Sequence, residues 1–175
     1  MKIKKIAALA LLALGFAASQ AYAAAPTTTG EVDFTGTINT STCSIATTPV
    51  AVRLNTFSSA NTTTTGTAYD PQPFHISVSG CETGANVGVA FEQGASTDNA
   101  TNNQLLNTGT ATGVEIGLFN GTDTSSAVQW GQSSAFVAAA AGAATLNFTA
   151  AYVPTADTIG AGNVTSTVKF DLTYN

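Results

Sequence analysis

Few side chains in this sequence are of the types that carry out acid–base, nucleophilic or metal chemistry. His75 is the single histidine, and it shares a face with Ser77 in an alternating segment, which predicts a solvated side chain. Asp123 begins the Asp-Thr-Ser triplet at residues 123–125, but a carboxylate pair that shares one proton needs a second copy, and none occurs. No serine stands in a Gly-x-Ser-x-Gly frame, and the remaining acidic residues are scattered. We therefore predict no enzymatic activity, no metal site and no cofactor.

The first 23 residues have the features of a secretory signal peptide. Lys2, Lys4 and Lys5 give a positive start, an apolar run covers residues 6–18, and residues 21–23 form a small-residue exit. The alternative is a membrane anchor, but 13 apolar residues are too few. As a helix they span about 20 Å, against about 30 Å for a hydrocarbon core. We predict cleavage after residue 23, export, and no direct membrane insertion.

Export places Cys43 and Cys81 in an oxidising compartment, and no third cysteine competes for either. We predict one disulfide between them, which closes a loop of 39 residues. Such a crosslink stabilises a fold by about 4 kcal/mol in the chain-entropy treatment. The alternative is a reactive thiol pair, but the spacing is not Cys-x-x-Cys and no basic neighbour activates either thiol.

The charge of the chain after residue 23 is low in density and strongly negative. Two cations, Arg53 and Lys169, stand against ten acidic side chains, a net charge of −8. Two cations cannot neutralise a run of phosphates, which excludes nucleic acid and anionic lipid as partners. Threonine, with 30 copies, supplies much of the polar surface instead.

Short runs of alternating apolar and polar residues fill the remainder of the chain, and helix signals are almost absent. The runs are Phe74-Ile76-Val78, Val87-Val89-Phe91, Val114-Ile116-Leu118 and Leu146-Phe148-Ala150-Tyr152. The strongest run spans residues 164–174, where Ser166 is the one polar residue on the apolar face. Residues 61–66, 69–73 and 93–103 are predicted to be turns or surface loops. About seven such strands predict an all-β, immunoglobulin-like sandwich, with a closed barrel as the alternative.

A separate segment, residues 24–42, precedes the domain predicted for residues 43–175. One face of its alternating run carries Val32, Phe34, Gly36 and Ile38. One interpretation is an ordinary first strand in which Gly36 marks a bulge. The other is a strand donated to a second molecule whose sheet lacks one strand, which is recognition by β-augmentation.

The end of the chain favours the donated strand. An immunoglobulin sandwich normally has a last strand beside its long penultimate one, yet this chain stops at Asn175, directly after its strongest strand. We therefore expect an incomplete sandwich that lacks its last strand, with an open groove beside residues 164–174. The missing strand would leave backbone groups and core side chains exposed until a partner covers them.

The segment Gly30-Glu31-Val32-Asp33-Phe34-Thr35-Gly36-Thr37-Ile38, the two cysteines, the strand 168–174 and the penultimate Tyr174 together resemble the chaperone-usher pilin family. Within that family the sequence most resembles the major subunit of type 1 fimbriae, and the resemblance covers residues 24–175. The resemblance implies a structural subunit of a fimbria, or pilus, that polymerises by donor-strand exchange and supports cell adhesion. It also implies that the disulfide joins the first and second strands.

The same resemblance implies partners and site residues. The donor residues would be Val32, Phe34, Gly36 and Ile38, inserted into the groove of a neighbouring copy. Strand residues Val168, Phe170, Leu172, Tyr174 and Asn175 would face that donor or a periplasmic chaperone, which holds the terminal carboxylate. An outer-membrane usher would carry out the exchange, and the subunit would pass through the periplasm to the fimbria at the cell surface.

The rival function is a secreted carbohydrate-binding adhesin module. Its candidate contacts are Trp130 and Tyr69 with nearby polar loops. Val128 and Gln129 favour a short strand before Trp130, and the indole is more simply explained as a core or edge aromatic. A lectin domain ahead of a pilin domain would need more residues than the 152 that follow the predicted leader.

Overall fold

Eight β-strands make up the regular structure of the described residues, which are 43–58, 64–94 and 103–175 of a computed structural model. They are β1 (Ser44–Ile45), β2 (Tyr69–Ser79), β3 (Asn86–Phe91), β4 (Gln104–Leu105), β5 (Val114–Asn120), β6 (Val137–Ala138), β7 (Ala143–Pro154) and β8 (Phe170–Tyr174). None of the described residues is helical. The all-β prediction is confirmed, and so are the four shorter alternating runs, which fall in β2, β3, β5 and β7.

The strands form two antiparallel sheets. The larger has the order β1-β2-β7-β5-β4, and the smaller has the order β6-β3-β8. Each sheet contributes its apolar face to one core, where Ile76, Leu146 and Phe148 of the first meet Val87 and Val89 of the second. This confirms the sandwich prediction over the closed barrel.

Burial alternates along the central strand β7, as period-two patterning requires. Ala144, Leu146 and Phe148 are buried, while Thr145 and Asn147 between them are exposed. The ring of Phe148 meets that of Phe91 edge-to-face, with centroids 5.1 Å apart, so the two sheets are in direct aromatic contact.

The prediction of a loop over residues 69–73 is wrong, because these residues form the beginning of β2. The pairing of β2 with β7 shifts register between Tyr69 and Gln72, which places Pro71 in a bulge. Asp70 there has a φ of 50°. Among the described residues, β1 pairs with β2 only at Val78 and Ser79, so the start of β2 is an edge on that side. Bulges and edges are the positions in a sheet that tolerate proline.

The predicted strand over residues 164–174 is confirmed only in part. β8 begins at Phe170, and residues 164–169 lie outside any strand. The alternation itself persists, since Val164, Ser166 and Val168 are half-buried while Thr165 and Thr167 are exposed. The pattern is that of a strand, but no neighbouring strand in the described residues completes a ladder there.

The remaining turn predictions hold where the structure describes them. Residues 64–66 contain a turn with Gly66 at a φ of 80°, and residues 93, 94 and 103 are non-strand. The rest of both predicted loops lies outside the described residues. Trp130 lies in a turn rather than after a short strand, because Ala127 makes a single bridge to Phe119 and no ladder follows. Its indole packs against the core, as the core-aromatic interpretation requires.

Candidate functional site

A groove of about 760 Å³ opens along one side of the sandwich. One wall is formed by residues 45–54, which continue from β1, and the other by residues 164–170, which lead into β8. Core residues from both sheets form the floor. The predicted open groove beside the final strand is therefore present along residues 164–170.

The wall that leads into β8 has unpaired backbone. Among the described residues β8 pairs only with β3, in a register that includes Phe91 opposite Phe170. The Glu92 N–H extends that pairing by donating to the Lys169 carbonyl at 2.9 Å. At the far end the Thr165 carbonyl accepts from the Thr108 N–H at 2.8 Å. Between these anchors, the backbone of residues 166–168 has no hydrogen-bond partner in the part of the chain that the structure describes.

The opposite wall also lacks backbone–backbone hydrogen bonds to other described residues after Ala46. β1 ends at Ile45, and the Ala46 N–H makes the last ladder-like bond, to the Ser77 carbonyl at 2.8 Å. Val50 and Leu54 pack against the core, while Val52 is 37% exposed although it is aliphatic. The two walls are thus segments that continue from β1 and lead into β8, and they face each other across an apolar floor.

The floor combines buried core side chains with others that the sandwich covers only in part. Phe74 of β2 and Ile116 of β5 are half-buried there, and Phe170 of β8 closes one side with its ring 6.0 Å from that of Phe91. An apolar floor between two edges with free N–H and C=O groups suits one extended strand. Its backbone would bond to the walls, and alternate side chains would enter the floor.

Ser166 is the polar exception on the groove face that the sequence indicated. Its side-chain oxygen is buried and has no hydrogen-bond partner among the described residues. A buried hydroxyl without a partner is disfavoured.

A disulfide and a tyrosine anchor the start of the first wall to its neighbours. The predicted bond between Cys43 and Cys81 is present and ties the start of the first wall to the end of β2. The Tyr174 hydroxyl, from the end of β8, accepts a hydrogen bond from the Cys43 N–H at 3.1 Å. Tyr174 therefore contributes to the frame of the groove, a role that sequence reasoning missed.

The other end of the groove carries an aromatic and polar cluster. Tyr152 stacks on Phe57 with centroids 5.4 Å apart and donates to the Asn55 carbonyl at 2.9 Å. Desolvation raises the pKa of Tyr152, and the nearby charge of Asp70 raises it further. Tyr69 lies 5.6 Å from Phe57, so this aromatic of the rival carbohydrate site is engaged in a packed cluster.

Sequence reasoning missed the wall at residues 45–54, although the signal was available. Val50-Ala51-Val52-Arg53-Leu54 alternates apolar residues in the same way as the strands that were predicted. The structure places the predicted residues Val168 and Phe170 in the groove lining, and Leu172 and Tyr174 against the core beyond it. The predicted leader and the donor residues, Val32, Phe34, Gly36 and Ile38, lie outside the described residues.

Residues considered for catalysis are not brought together. His75 is exposed on β2, as predicted, and Asp123 lies in an exposed turn where Ser125 donates to its carboxylate. Those hydrogen bonds lower the pKa of Asp123. In the described ranges no group of three His, Cys, Asp or Glu side chains is placed to hold a metal ion. The described ranges also contain no helix long and apolar enough to span a membrane.

Comparisons with known sequences agree on one family. Residues 32–175 match the family described as Fimbrial protein. The chain is 34% identical over 175 residues to the F17 fimbrial protein of Escherichia coli, covering 92% of this chain and 96% of that protein. It is 31% identical over 182 residues to long polar fimbria protein A of Salmonella typhimurium, covering 98% and 97%.

Solved structures give the same fold. A Burkholderia pseudomallei antigen and type I fimbria protein superposes with a TM-score of 0.56 at 29% identity, covering 82% of this chain and 91% of that one. A chain from a chaperone-usher pilus gives a TM-score of 0.59 at 20% identity, covering 87% and 99%. The P pilus rod subunit gives 0.53 at 17% identity, covering 76% and 99%. The last two likenesses concern the fold alone.

Proposed function

The chain belongs to the fimbrial protein family and is a structural subunit of an extracellular fimbria, and we propose that its groove receives a strand donated by the next subunit. The donor is residues 24–42 of a second copy, so the assembly is a homopolymer formed by donor-strand exchange. The subunit has no catalytic role in this scheme.

The observation that carries the proposal is the pair of unpaired edges on either side of an apolar floor. Residues 166–168 and the wall after Ala46 offer backbone donors and acceptors that a single inserted strand would satisfy from both sides. The donor run supplies apolar residues at every second position, Val32, Phe34 and Ile38, with Gly36 between them.

The energetics favour a durable joint. Burial of Val32, Phe34 and Ile38 contributes about 1.5 to 3 kcal/mol each. The cost of ordering the donor opposes this gain, while main-chain pairing sets direction and register. We expect Gly36 to meet a shallow part of the groove, so that a larger residue at that position blocks insertion.

Assembly needs the groove to be covered before a donor arrives, because an exposed strand edge over an open core promotes aggregation. We propose that a periplasmic chaperone first fills the groove with a strand of its own and binds the terminal carboxylate of Asn175. The incoming donor then displaces it at an outer-membrane usher. The edge position of β8 supports this sequence, since one side of β8 has no strand partner in the described residues.

Gly36→Val tests the donor role. We expect this change to abolish most SDS-resistant oligomers, which migrate as a ladder and collapse to monomer only on heating, while secretion of the monomer continues. Thr35→Val is the control, because it places a valine at the neighbouring position, on the opposite face of the donor strand. A full ladder from Gly36→Val would contradict the donor assignment. A wild-type chain that forms no ladder would contradict donor-strand exchange altogether.

Deletion of Tyr174 and Asn175 tests the chaperone role. The deletion shortens β8 and moves the carboxylate, so we expect the periplasmic subunit to fall below about a tenth of its wild-type level, measured by immunoblot. Asn175→Gln keeps the chain length and the carboxylate and is expected to accumulate normally. Normal accumulation of the deletion variant would argue against capture of the C-terminal strand.

A further inference from the structure

The two cations that follow the predicted leader both line the groove. Arg53 is on one wall of the groove and Lys169 is on the other. Both side chains are exposed, and neither forms an ion pair with another described residue. Glu92 is the acidic residue of the lining. The rim is therefore the one positively charged feature described on a subunit with a net charge of −8 after residue 23.

Lys169 points away from the core, on the outer face of its wall. It is exposed between half-buried Val168 and Phe170, so the alternation puts its ammonium on the solvent side. Glu92, directly after β3, bonds to the Lys169 carbonyl through its N–H, and Asp171 lies two residues further along the same outer face. On the outer face of this wall, the cation Lys169 is therefore followed two residues later by the anion Asp171.

The donor sequence carries complementary charges. Glu31 and Asp33 alternate with Val32 and Phe34, so a strand that directs Val32 and Phe34 into the floor directs both carboxylates outward. Residues two apart on one face of a strand are about 6.6 Å apart. Cross-strand neighbours lie about 4.5 to 5.5 Å apart, within reach of long side chains.

We propose that Arg53 and Lys169 recognise Glu31 and Asp33 of the next copy and set the register of its donor strand. This inference rests on the donor-strand role proposed above and identifies the residues that make insertion selective. Because Glu31 and Asp33 are themselves two residues apart, a slip of two residues in one direction keeps one carboxylate beside Lys169 but brings the other beside Asp171, where like charges repel. A slip of two residues in the opposite direction leaves Lys169 without a carboxylate. The correct register is favoured both by attraction at Lys169 and by repulsion at Asp171.

The contribution is expected in the rate and selectivity of assembly more than in the strength of the finished joint. Exposed ion pairs stabilise by only about 0.2 to 1 kcal/mol each, and salt screens them. Complementary charges nevertheless raise association rates and suppress wrong registers. The subunits carry a net negative charge and otherwise repel one another, so the two cations at the groove attract the acidic donor segment of the next copy.

The test measures the initial rate at which the purified full-length chain forms SDS-resistant oligomers. We expect R53Q/K169Q to slow this rate about three- to tenfold at low ionic strength and to match the wild type at high ionic strength. T122E/S126E is the matched control, because it changes the net charge by the same amount at exposed positions outside the groove lining. This control is expected to keep the wild-type rate within about twofold.

A second experiment exchanges the charges between the groove and the donor segment. R53E/K169E is expected to slow assembly further, and addition of E31K/D33K to the same chain is expected to restore the rate to within about twofold of wild type. Equal rates for the wild type and R53Q/K169Q at low salt, or absence of rescue by the exchange, would overturn the ionic recognition while leaving donor-strand exchange intact. Failure of every chain, including the wild type, to form oligomers would overturn both.

Discussion

β7 and β8 carry the same kind of alternating sequence but occupy opposite situations in the fold. β7 lies between β2 and β5, and Leu146 and Phe148 on its inner face are only 2% and 1% exposed. β8 has β3 as its one strand partner in the described part of the chain, and none of its five residues is fully buried. An alternating pattern therefore identifies an inner face, whereas the depth of burial depends on how many neighbours the strand has.

The largest expected difference between β7 and β8 is in the cost of truncating a phenylalanine to alanine. We expect Phe148→Ala to lower the free energy of unfolding of the isolated subunit by about 3 to 5 kcal/mol, because it opens a cavity in a closed core. Phe170→Ala removes the same side chain from a half-buried site and should cost the isolated subunit less than half as much. Urea denaturation of both variants, monitored by circular dichroism, gives the comparison.

The cost of Phe170→Ala should depend on whether a strand occupies the groove. In SDS-resistant oligomers Phe170 would be covered from the groove side, so its truncation should weaken oligomers more than it weakens the isolated subunit. Equal losses for Phe148→Ala and Phe170→Ala in the isolated subunit would mean that the edge of β8 is already covered. That result would remove the contrast between the strands.

Tyr174→Phe tests the hydroxyl that links the end of β8 to the first wall. The change removes the acceptor of the Cys43 N–H and keeps the ring, so we expect a loss of about 0.5 to 1.5 kcal/mol in the free energy of unfolding. Urea denaturation with the disulfide intact measures it. Tyr174→Leu, which removes the hydroxyl together with the ring, should cost more. No loss for Tyr174→Phe would show that water replaces the hydroxyl.

The smallest effect is expected at the opposite end of the groove, at Tyr152. Its pKa is raised in the folded state by desolvation and then by Asp70. The unfolded tyrosine ionises first as pH rises past about 10, so the unfolded state binds fewer protons there and stability falls. Between pH 9 and about 11, the free energy of unfolding of Tyr152→Phe should therefore fall less steeply than that of the wild type. The variant should also be less stable by an amount that does not depend on pH, because it lacks the hydrogen bond to the Asn55 carbonyl.

Denaturation at several pH values gives both slopes. Both cysteines are in the disulfide, so no free thiol complicates the alkaline range. Identical slopes for the wild type and Tyr152→Phe would mean that Tyr152 ionises equally easily in both states. The difference between the aromatic end and the disulfide end of the groove would then be one of packing alone.

Particular residues show how far sequence reasoning reached. The disulfide followed from the presence of only two cysteines in an exported chain, and the inner faces of β2, β3, β5 and β7 followed from alternation. Pro71 misled the prediction of a loop, because tolerance of proline depends on a bulge and a free edge, which are properties of pairing and not of local sequence. The wall at Val50 and Leu54 was missed although its alternation is visible in the sequence, and the structure forms no strand there.

The sequence by itself determined which residues face inward, which cysteines join, and that the arm at residues 30–38 alternates acidic with apolar side chains. These are properties of local period and of residue count. Only the tertiary structure decided that residues 45–54 and 164–170 face each other across one floor, with Arg53 and Lys169 at its rim. The order of strands in a sheet depends on contacts between residues far apart in the chain, and local alternation carries no information about which edge is left without a neighbour.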